Sequence, residues 1–436
     1  MRTAPSRALA TGLAFVAAIL ALAACGGSDS SSGTASTGSS AAKPAGANLG
    51  SATSTYQSFV GGTSGKADAS KSPVVLGFVN DEGGIPSFPE GSVAAQAAVK
   101  FVNENLGGVG GHPVELKKCL VAGNEEQGQS CAQQFLNDKQ VKAIVEDSQV
   151  VGAQSFHQTL AGKLPVVIGS PNSVADATAK NAYGISAGVF GTNPGFVSYA
   201  TEFLHAKTAS LIFPADDPTG QVAAKQIKAS LTKAGIKVKD AGYKSSSPDL
   251  LAPVNAAGAG QTDVIVTLFP SPPTCIAGAK ALQQASAGKP VLALNLCIAE
   301  PVKQAVGDYP KWTYVSLNTN PEIKGADKAT DGYGAVMKAY APANANLGGF
   351  APHAFMSTLT AVKALNEAGG ADATSTAIAE KLKAYTGPTP MFAPDVKFGA
   401  VPNLPSIGSF QTRLYTYKGG DSWSDATNGK WVLPKA

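Results

Sequence analysis

Charge, sulfur and imidazole are all scarce in this 436-residue chain. Only 15% of its residues are charged, and it holds 4 histidines, 4 methionines, 3 tryptophans and 5 cysteines. The formal net charge of +4 is too small for the basic field that nucleic-acid binding needs. His112, His157, His205 and His353 are scattered, and no His-Glu-x-x-His pair stands among them. Tight Cys-x-x-Cys spacing is absent, which argues against a structural zinc site. The acidic doublets Glu125-Glu126 and Asp216-Asp217 are sequence neighbours, whose side chains usually point apart. Gly65-Lys66 imitates a phosphate loop, but Val60 stands at its first glycine position and Ala67 at its hydroxyl position. The chain is therefore expected to carry no catalytic set, no metal and no cofactor, and not to be an enzyme.

Long apolar runs are missing too, apart from residues 8–22, which are too few for a comfortable membrane span. Arg2 and Arg7 precede that run, and Leu22-Ala23-Ala24-Cys25 ends it. The ending resembles the lipobox of bacterial lipoproteins, which implies a signal peptide over 1–24, cleavage before Cys25 and a diacylglyceryl anchor on that cysteine. Two acyl chains hold a membrane stably where one does not, at ~0.8 kcal/mol per buried CH₂. The leader contains no acid, so its loss leaves a net charge of +2. Residues 25–72, dominated by Gly, Ser, Ala and Thr, read as a flexible tether of roughly 35–40 Å r.m.s. reach. With Cys25 acylated, 4 cysteines remain in an oxidising setting. Of the three pairings possible, the local one is expected: Cys119 with Cys131 and Cys275 with Cys297, each pair within one strand–loop–helix neighbourhood.

What is abundant is hydrophobicity (44%), Gly (48) and Pro (28), enough for two α/β domains with short connections. Residues 141–173 organise the reading. The runs 143–145 and 166–168 are β-branched and brief, so each reads as a strand buried on both faces. Val151, Phe156 and Leu160 lie near helical spacing between them, and Pro165 helps to end that helix. Strand–helix–strand units build parallel sheets, and ligands sit outside the carboxyl ends of such strands. The loops 146–149 and 169–173 are therefore expected to form one wall of a cleft. Upstream, a strand over 74–79 leads through a loop over 80–90 to a helix ending at Asn105, then a strand over 114–120 and a helix over 129–137. Downstream, a helix over 194–204, strands over 209–213, 264–269 and 291–296, and helices over 222–234 and 276–284 form a second set. A strand over 312–317 precedes a crossover at 318–320 and helices over 330–340, 353–368 and 374–385. The tail, 398–436, is turn-rich, with a short strand over 413–417.

The run Asn103-Glu104-Asn105-Leu106-Gly107-Gly108-Val109-Gly110-Gly111-His112-Pro113-Val114-Glu115-Leu116, followed by Cys119 and Cys131, closely resembles type I periplasmic binding proteins, most of all the leucine/isoleucine/valine-binding branch that serves ABC transporters. That resemblance implies two Rossmann-like lobes with parallel sheets joined by a three-strand hinge: 73–190 plus 319–395, and 191–318 plus 396–436. It implies an extracytoplasmic component of an ABC importer, working with permease and ATPase subunits and closing on a small polar solute such as a branched-chain amino acid, an amide or a related compound. The same module also serves ligand-sensing receptor subunits, which would here need a separate membrane partner. Carried over by position, Ser148, Gln149 and Ser173 fall where the family offers hydroxyls and N–H groups to a ligand carboxylate, with Ser170 and Asn172 beside them. Phe88 falls at a ligand-stacking position. In the second lobe Asp217 and Thr219 line up with a family loop whose aromatic residue is here Thr219, and Asn295 stands where the family has an acid for the ligand ammonium. Phe269 and Ser271 are read as ending another cleft-side strand. The last departures count against an α-amino acid as ligand.

Overall fold

The computed structural model describes residues 49–84, 86–246, 249–323 and 325–433. The proposed leader, Cys25 and the tether up to residue 48 lie outside the described residues. Among the described residues no helix is long and apolar enough to cross a membrane.

The first sheet is made of β1 (Val74–Asp81), β2 (Val114–Val121), β3 (Val141–Glu146), β4 (Val166–Ile168) and β5 (Ala182–Gly184), with apolar, β-branched runs in β1, β3 and β4. All pair in parallel, in the order β2-β1-β3-β4-β5. β1 is buried along its whole length, as a strand covered on both faces must be. Five helices belong to this part of the chain: α1 (Gly50–Val60), α2 (Pro89–Asn105), α3 (Glu125–Asn137), α4 (Ala153–Leu160) and α5 (Val174–Thr178). Leu76 and Phe78 of β1 pack toward α2, whereas Val75 and Val79, one residue out of phase, pack with Phe135 of α3 and Phe156 of α4.

The chain then passes through α6 (Val189–Ser198) into β6 (Thr208–Pro214), α7 (Pro218–Lys233), β7 (Lys237–Tyr243), α8 (Leu251–Ala256), β8 (Val264–Thr267), α9 (Pro272–Gln284), β9 (Val291–Leu294), α10 (Glu300–Val306) and β10 (Thr313–Ser316). After β10 it returns to the first sheet, where α11 (Lys328–Tyr340), α12 (Ala351–Glu367) and α13 (Ser375–Ala384) share a core with α2 and β1. It ends in β11 (Arg413–Gly419) and β12 (Ser422–Asp425). The second sheet runs β12-β11-β10-β9-β8-β6-β7, antiparallel only where β11 and β12 join. Two α/β layers joined by three passages of the chain are thus observed, as the sequence reading expected. Cys119–Cys131 and Cys275–Cys297 are both bonded, each with Cα atoms 5.5 Å apart.

Three expectations are corrected. The tether does not run to residue 72. Residues 50–60 form α1, whose Ala52, Tyr56, Phe59 and Val60 are buried in the core that also holds α11 and α12. Tyr56 is fully buried and its hydroxyl donates to the Ala329 carbonyl at 2.7 Å. Beyond α1, Gly65 N–H donates to the Asn105 carbonyl and Asp68 N–H to the Gly111 carbonyl, so the strap up to β1 is also pinned. Apolar residues at helical spacing outweigh the Ser/Thr-rich composition around them. The helix expected from Pro194 starts five residues earlier, at Val189, so that Pro194 stands inside it, and a π turn over Tyr199–Phe203 follows. Finally, the tail contains a second strand, β12, where only one was expected.

Candidate functional site

In doubly wound sheets of order 2-1-3-4-5 the binding crevice opens where strand order reverses, outside the carboxyl ends of the first and third strands. In the first sheet those ends are Asn80-Asp81 and Glu146-Asp147. The adjoining loops are locked to one another. Asp81 N–H donates to the Ser148 carbonyl, Asp147 N–H to the Val79 carbonyl, Gly169 N–H to the Glu146 carbonyl and Ser170 N–H to the Asp147 carbonyl. Asp81 Oδ2 accepts from the N–H groups of Val150 and Val151. Asn172 Nδ2 donates to Ser148 Oγ at 2.7 Å, so the loops after β3 and β4 meet through side chains as well. Ser170 lies beside Asn172, with Oγ and Oδ1 3.5 Å apart. Of the expected residues, Ser148, Ser170 and Asn172 are therefore brought together, with Gln149 next to Ser148 in the chain.

Ser173 stands next to this group but has a local task. Its Oγ accepts from Asp176 N–H while Asp176 Oδ2 accepts from Ser173 N–H, the capping box of α5. Phe88 packs its ring on Phe350, centroids 4.5 Å apart, and its carbonyl accepts from Asn80 Nδ2. Glu90 Oε1 accepts from Phe350 N–H, so the loop before α2 is tied to the start of α12.

On the second sheet the expectations fare less evenly. Asn295 lines a concavity together with Ile298, Ser316, Asn318, Asn320 and Gly349. Gly348 and Gly349 come from the segment leading into α12, which packs with the first sheet, whereas Asn295 and Ser316 follow β9 and end β10. Phe269 is corrected: its ring is fully buried between Tyr243 and Trp312, and the missing side chain of Gly278 makes room for it. β8 ends at Thr267, so Phe269 belongs to the turn that feeds the core, not to a ligand wall. Ser271 caps α9, its N–H donating to Thr274 Oγ1. Asp217 Oδ2 accepts from Gly220 N–H in the first turn of α7. The Thr219 side chain lies outside the described residues.

Several polar atoms near the loops of the first sheet are buried without a hydrogen-bond partner among the described residues: both amide atoms of Gln149, both carboxyl oxygens of Asp147, both ring nitrogens of His353, Asn80 Oδ1 and Asn320 Nδ2. Leaving such groups unpaired is costly, and binding sites are where that cost is tolerated. Burial pushes the Asp147 carboxyl well up, helped by Glu90 and Glu146, which favours the neutral acid. Burial also holds the His353 imidazole down to about 3, so it is neutral. No lysine or arginine stands among these residues or those lining the concavity. A solute here would be met by hydroxyls, amides and backbone groups, with Glu322 the acid lining the concavity. The sequence reading did not single out Asn80, Asp147, His353, Asn318, Asn320 or Gly349. Asp147 lies within the loop 146–149 expected as a wall, Asn80 opens the loop over 80–90, and Asn318-Thr319-Asn320 was visible as a crossover, but nothing local marked His353 or Gly349.

Behind the loops, His157 Nε2 lies 3.1 Å from Glu146 Oε2 and 3.4 Å from Asp176 Oδ1, all three side chains being buried. Burial lowers the His157 pKa, but the two carboxylates outweigh it and raise it to about 10.

The sequence matches the periplasmic binding protein family over residues 73–403. Comparison with curated protein sequences gives no match. Among solved structures, the chain is similar to a leucine-binding protein, LivK, from Thermotoga maritima at 15% identity and a TM-score of 0.66, covering 83% of this chain and 99% of that one. The branched-chain amino acid transporter substrate-binding protein LivJ from Streptococcus pneumoniae, solved with isoleucine, aligns at 18% identity and a TM-score of 0.64, over 83% and 98% of the two chains. A solute-binding protein of an ABC transporter from R. palustris, solved with 4-hydroxybenzoate, aligns at 16% identity and a TM-score of 0.67, over 83% and 96%. The family binds substrates and is not enzymatic. With the match spanning the first sheet and β6–β10 of the second, the chain belongs to the periplasmic binding protein family, in its type I fold.

Proposed function

We propose that this chain is the extracytoplasmic binding component of an ABC importer, which captures a small polar solute between two lobes and delivers it to permease and ATPase subunits. The carrying observation is the concavity at Asn295, Asn318, Asn320 and Gly349, lined by residues that follow β9 and β10, by the crossover itself and by the segment leading into α12. In this reading one lobe comprises 73–190 and 319–395, enlarged by α1 and its strap, and the other 191–318 and 396–436. Ser148, Gln149, Ser170, Asn172 and Ser173 supply the first wall, and Asn295 the second. Phe88 borders the opening through Phe350. Cys25 carries the lipid that holds the protein at the outer face of the cell membrane.

The similar proteins solved with isoleucine and with 4-hydroxybenzoate each hold a small carboxylate on an apolar body. Neutral donors can meet such a group without the large desolvation cost of a buried cation. The solute class is therefore a small carboxylate or amide. The test is a melting-temperature panel of branched-chain amino acids, amides and aromatic acids on protein freed of co-purified solute. A true ligand at a hundredfold excess over its Kd stabilises by about 2.7 kcal/mol, a rise of about 3 °C for a chain this long. If every compound leaves the melting temperature unmoved, the reading fails.

A further inference from the structure

The cluster behind the loops has a geometry that solute binding does not explain. Glu146 ends β3, His157 lies on α4 and Asp176 on α5, and their ligand-type atoms lie within 4.8 Å of one another. Both oxygens of Glu146, Oδ1 of Asp176 and Nε2 of His157 are buried without a hydrogen-bond partner. Asp81 Oδ1, at the end of β1, is also buried and unpartnered, while its Oδ2 is held by two N–H groups. His157 Nε2 lies at ion-pair distance from both carboxylates, with neither contact well aligned as a hydrogen bond.

Two magnitudes favour an occupant. Zinc–nitrogen and zinc–oxygen bonds of about 2.0–2.1 Å in a tetrahedron set neighbouring ligand atoms about 3.3 Å apart. The observed separations from His157 Nε2 are 3.1 and 3.4 Å. Charge points the same way. An imidazolium between two carboxylates leaves one negative charge buried, whereas a divalent cation with neutral imidazole and the same carboxylates leaves none.

We propose that Glu146, His157 and Asp176 form a structural site for a divalent cation of the zinc class. Binding takes the Nε2 lone pair and releases any proton held there to solvent. Asp176 then serves twice: Oδ1 ligates, while Oδ2 keeps the N–H groups of Asn172 and Ser173. The cation ties the ends of β3, α4 and α5 together directly beneath Ser148 and Asn172, and so stiffens the solute-binding wall.

The test uses full-length protein stripped by chelator and offered zinc alone at pH 8, with no solute present. The expected result is one zinc retained per chain by elemental analysis, and a melting temperature raised by about 3 °C at a hundredfold excess over Kd. Glu146→Gln, which keeps the packing, and His157→Gln should each lose the bound zinc while their apo forms melt within a few degrees of the apo wild type. Should Glu146→Gln fail to fold, His157→Gln alone carries the comparison. A folded wild type that takes up no zinc overturns the proposal and leaves an imidazolium held between two carboxylates. Zinc retained equally by wild type and both variants also overturns it, because the ion then sits elsewhere. Neither result bears on whether the protein binds a solute.

Discussion

Replacing Tyr56 by alanine tests whether α1 is part of the first lobe or a passenger on it. The ring is fully buried and packs edge-on against Phe101, centroids 6.0 Å apart, and Phe355, 5.3 Å apart. Its hydroxyl donates to the Ala329 carbonyl at the start of α11. Truncating a buried aromatic ring costs about 3–5 kcal/mol, and Tyr56→Phe, which strands that carbonyl, costs about 1–2 kcal/mol. A surface substitution in a tether would change stability by less than about 0.5 kcal/mol. Urea unfolding followed by far-ultraviolet circular dichroism reads the whole chain. Tryptophan fluorescence reads the second sheet alone, because Trp312, Trp423 and Trp431 all lie beside β10–β12. The expected result is a dichroism midpoint that falls steeply for Tyr56→Ala and about a third as far for Tyr56→Phe, with the fluorescence midpoint less affected. A chain beginning at Leu49 should match the longer protein, whereas one beginning at Pro73 should behave like Tyr56→Ala or worse. Equal midpoints for all of them would show that the buried face of α1 contributes nothing, and the assignment of residues 50–72 to the lobe would be wrong.

Four further outcomes are expected. His353 is neutral in the fold, with its pKa depressed to about 3, while an unfolded histidine titrates near ~6.5. Its contribution is therefore whole above pH ~6.5 and is lost as pH falls, by about 1.4 kcal/mol per unit, and urea midpoints between pH 7 and 5 should lose that slope in His353→Gln. Ser148→Ala removes the acceptor of Asn172 Nδ2; it should cost about 1–2 kcal/mol in the urea midpoint and weaken the solute found by melting about tenfold in calorimetry. Gly188 has φ +52°, and a Cβ there would sit 1.7 Å from the Pro171 carbonyl oxygen, so Gly188→Ala should shift the loop after β4 and lower the urea midpoint by at least about 2 kcal/mol. Reducing Cys275–Cys297, separated by 22 residues, should destabilise the second lobe by about 3 kcal/mol, read as an earlier tryptophan-fluorescence transition.

Much of the framework was legible because its signals are local. Val141–Glu146 and Val166–Ile168 are short β-branched runs, and both became buried parallel strands at nearly the expected bounds. Both disulfides were legible because each joins neighbouring elements. α1 was hidden because its apolar anchors are spread among serines and threonines, and composition spoke louder than spacing. β12 was hidden because Ser422-Trp423-Ser424-Asp425 carries no apolar run; its partner β11 recruits it. The site was half legible. Ser148, Gln149, Ser170 and Asn172 follow strands that any parallel sheet would aim at a crevice. Asn320 and Gly349 line the concavity with Asn295 only because the chain crosses between sheets after β10, a relation at long range that no window of sequence displays. Phe269 misled because it follows a strand end, and only the gap left by Gly278 reveals that the ring turns inward.

The central claim is that one solute is gripped from two lobes at once. Calorimetric titration of Ser148→Ala and Asn295→Ala against the wild type, with the solute that raises the melting temperature most, tests it directly. The account predicts that each variant weakens the same solute by roughly tenfold or more, one acting from the first sheet and the other from the second. Affinity that drops in Ser148→Ala but stays unchanged in Asn295→Ala would mean that one lobe binds alone, and the account would be contradicted.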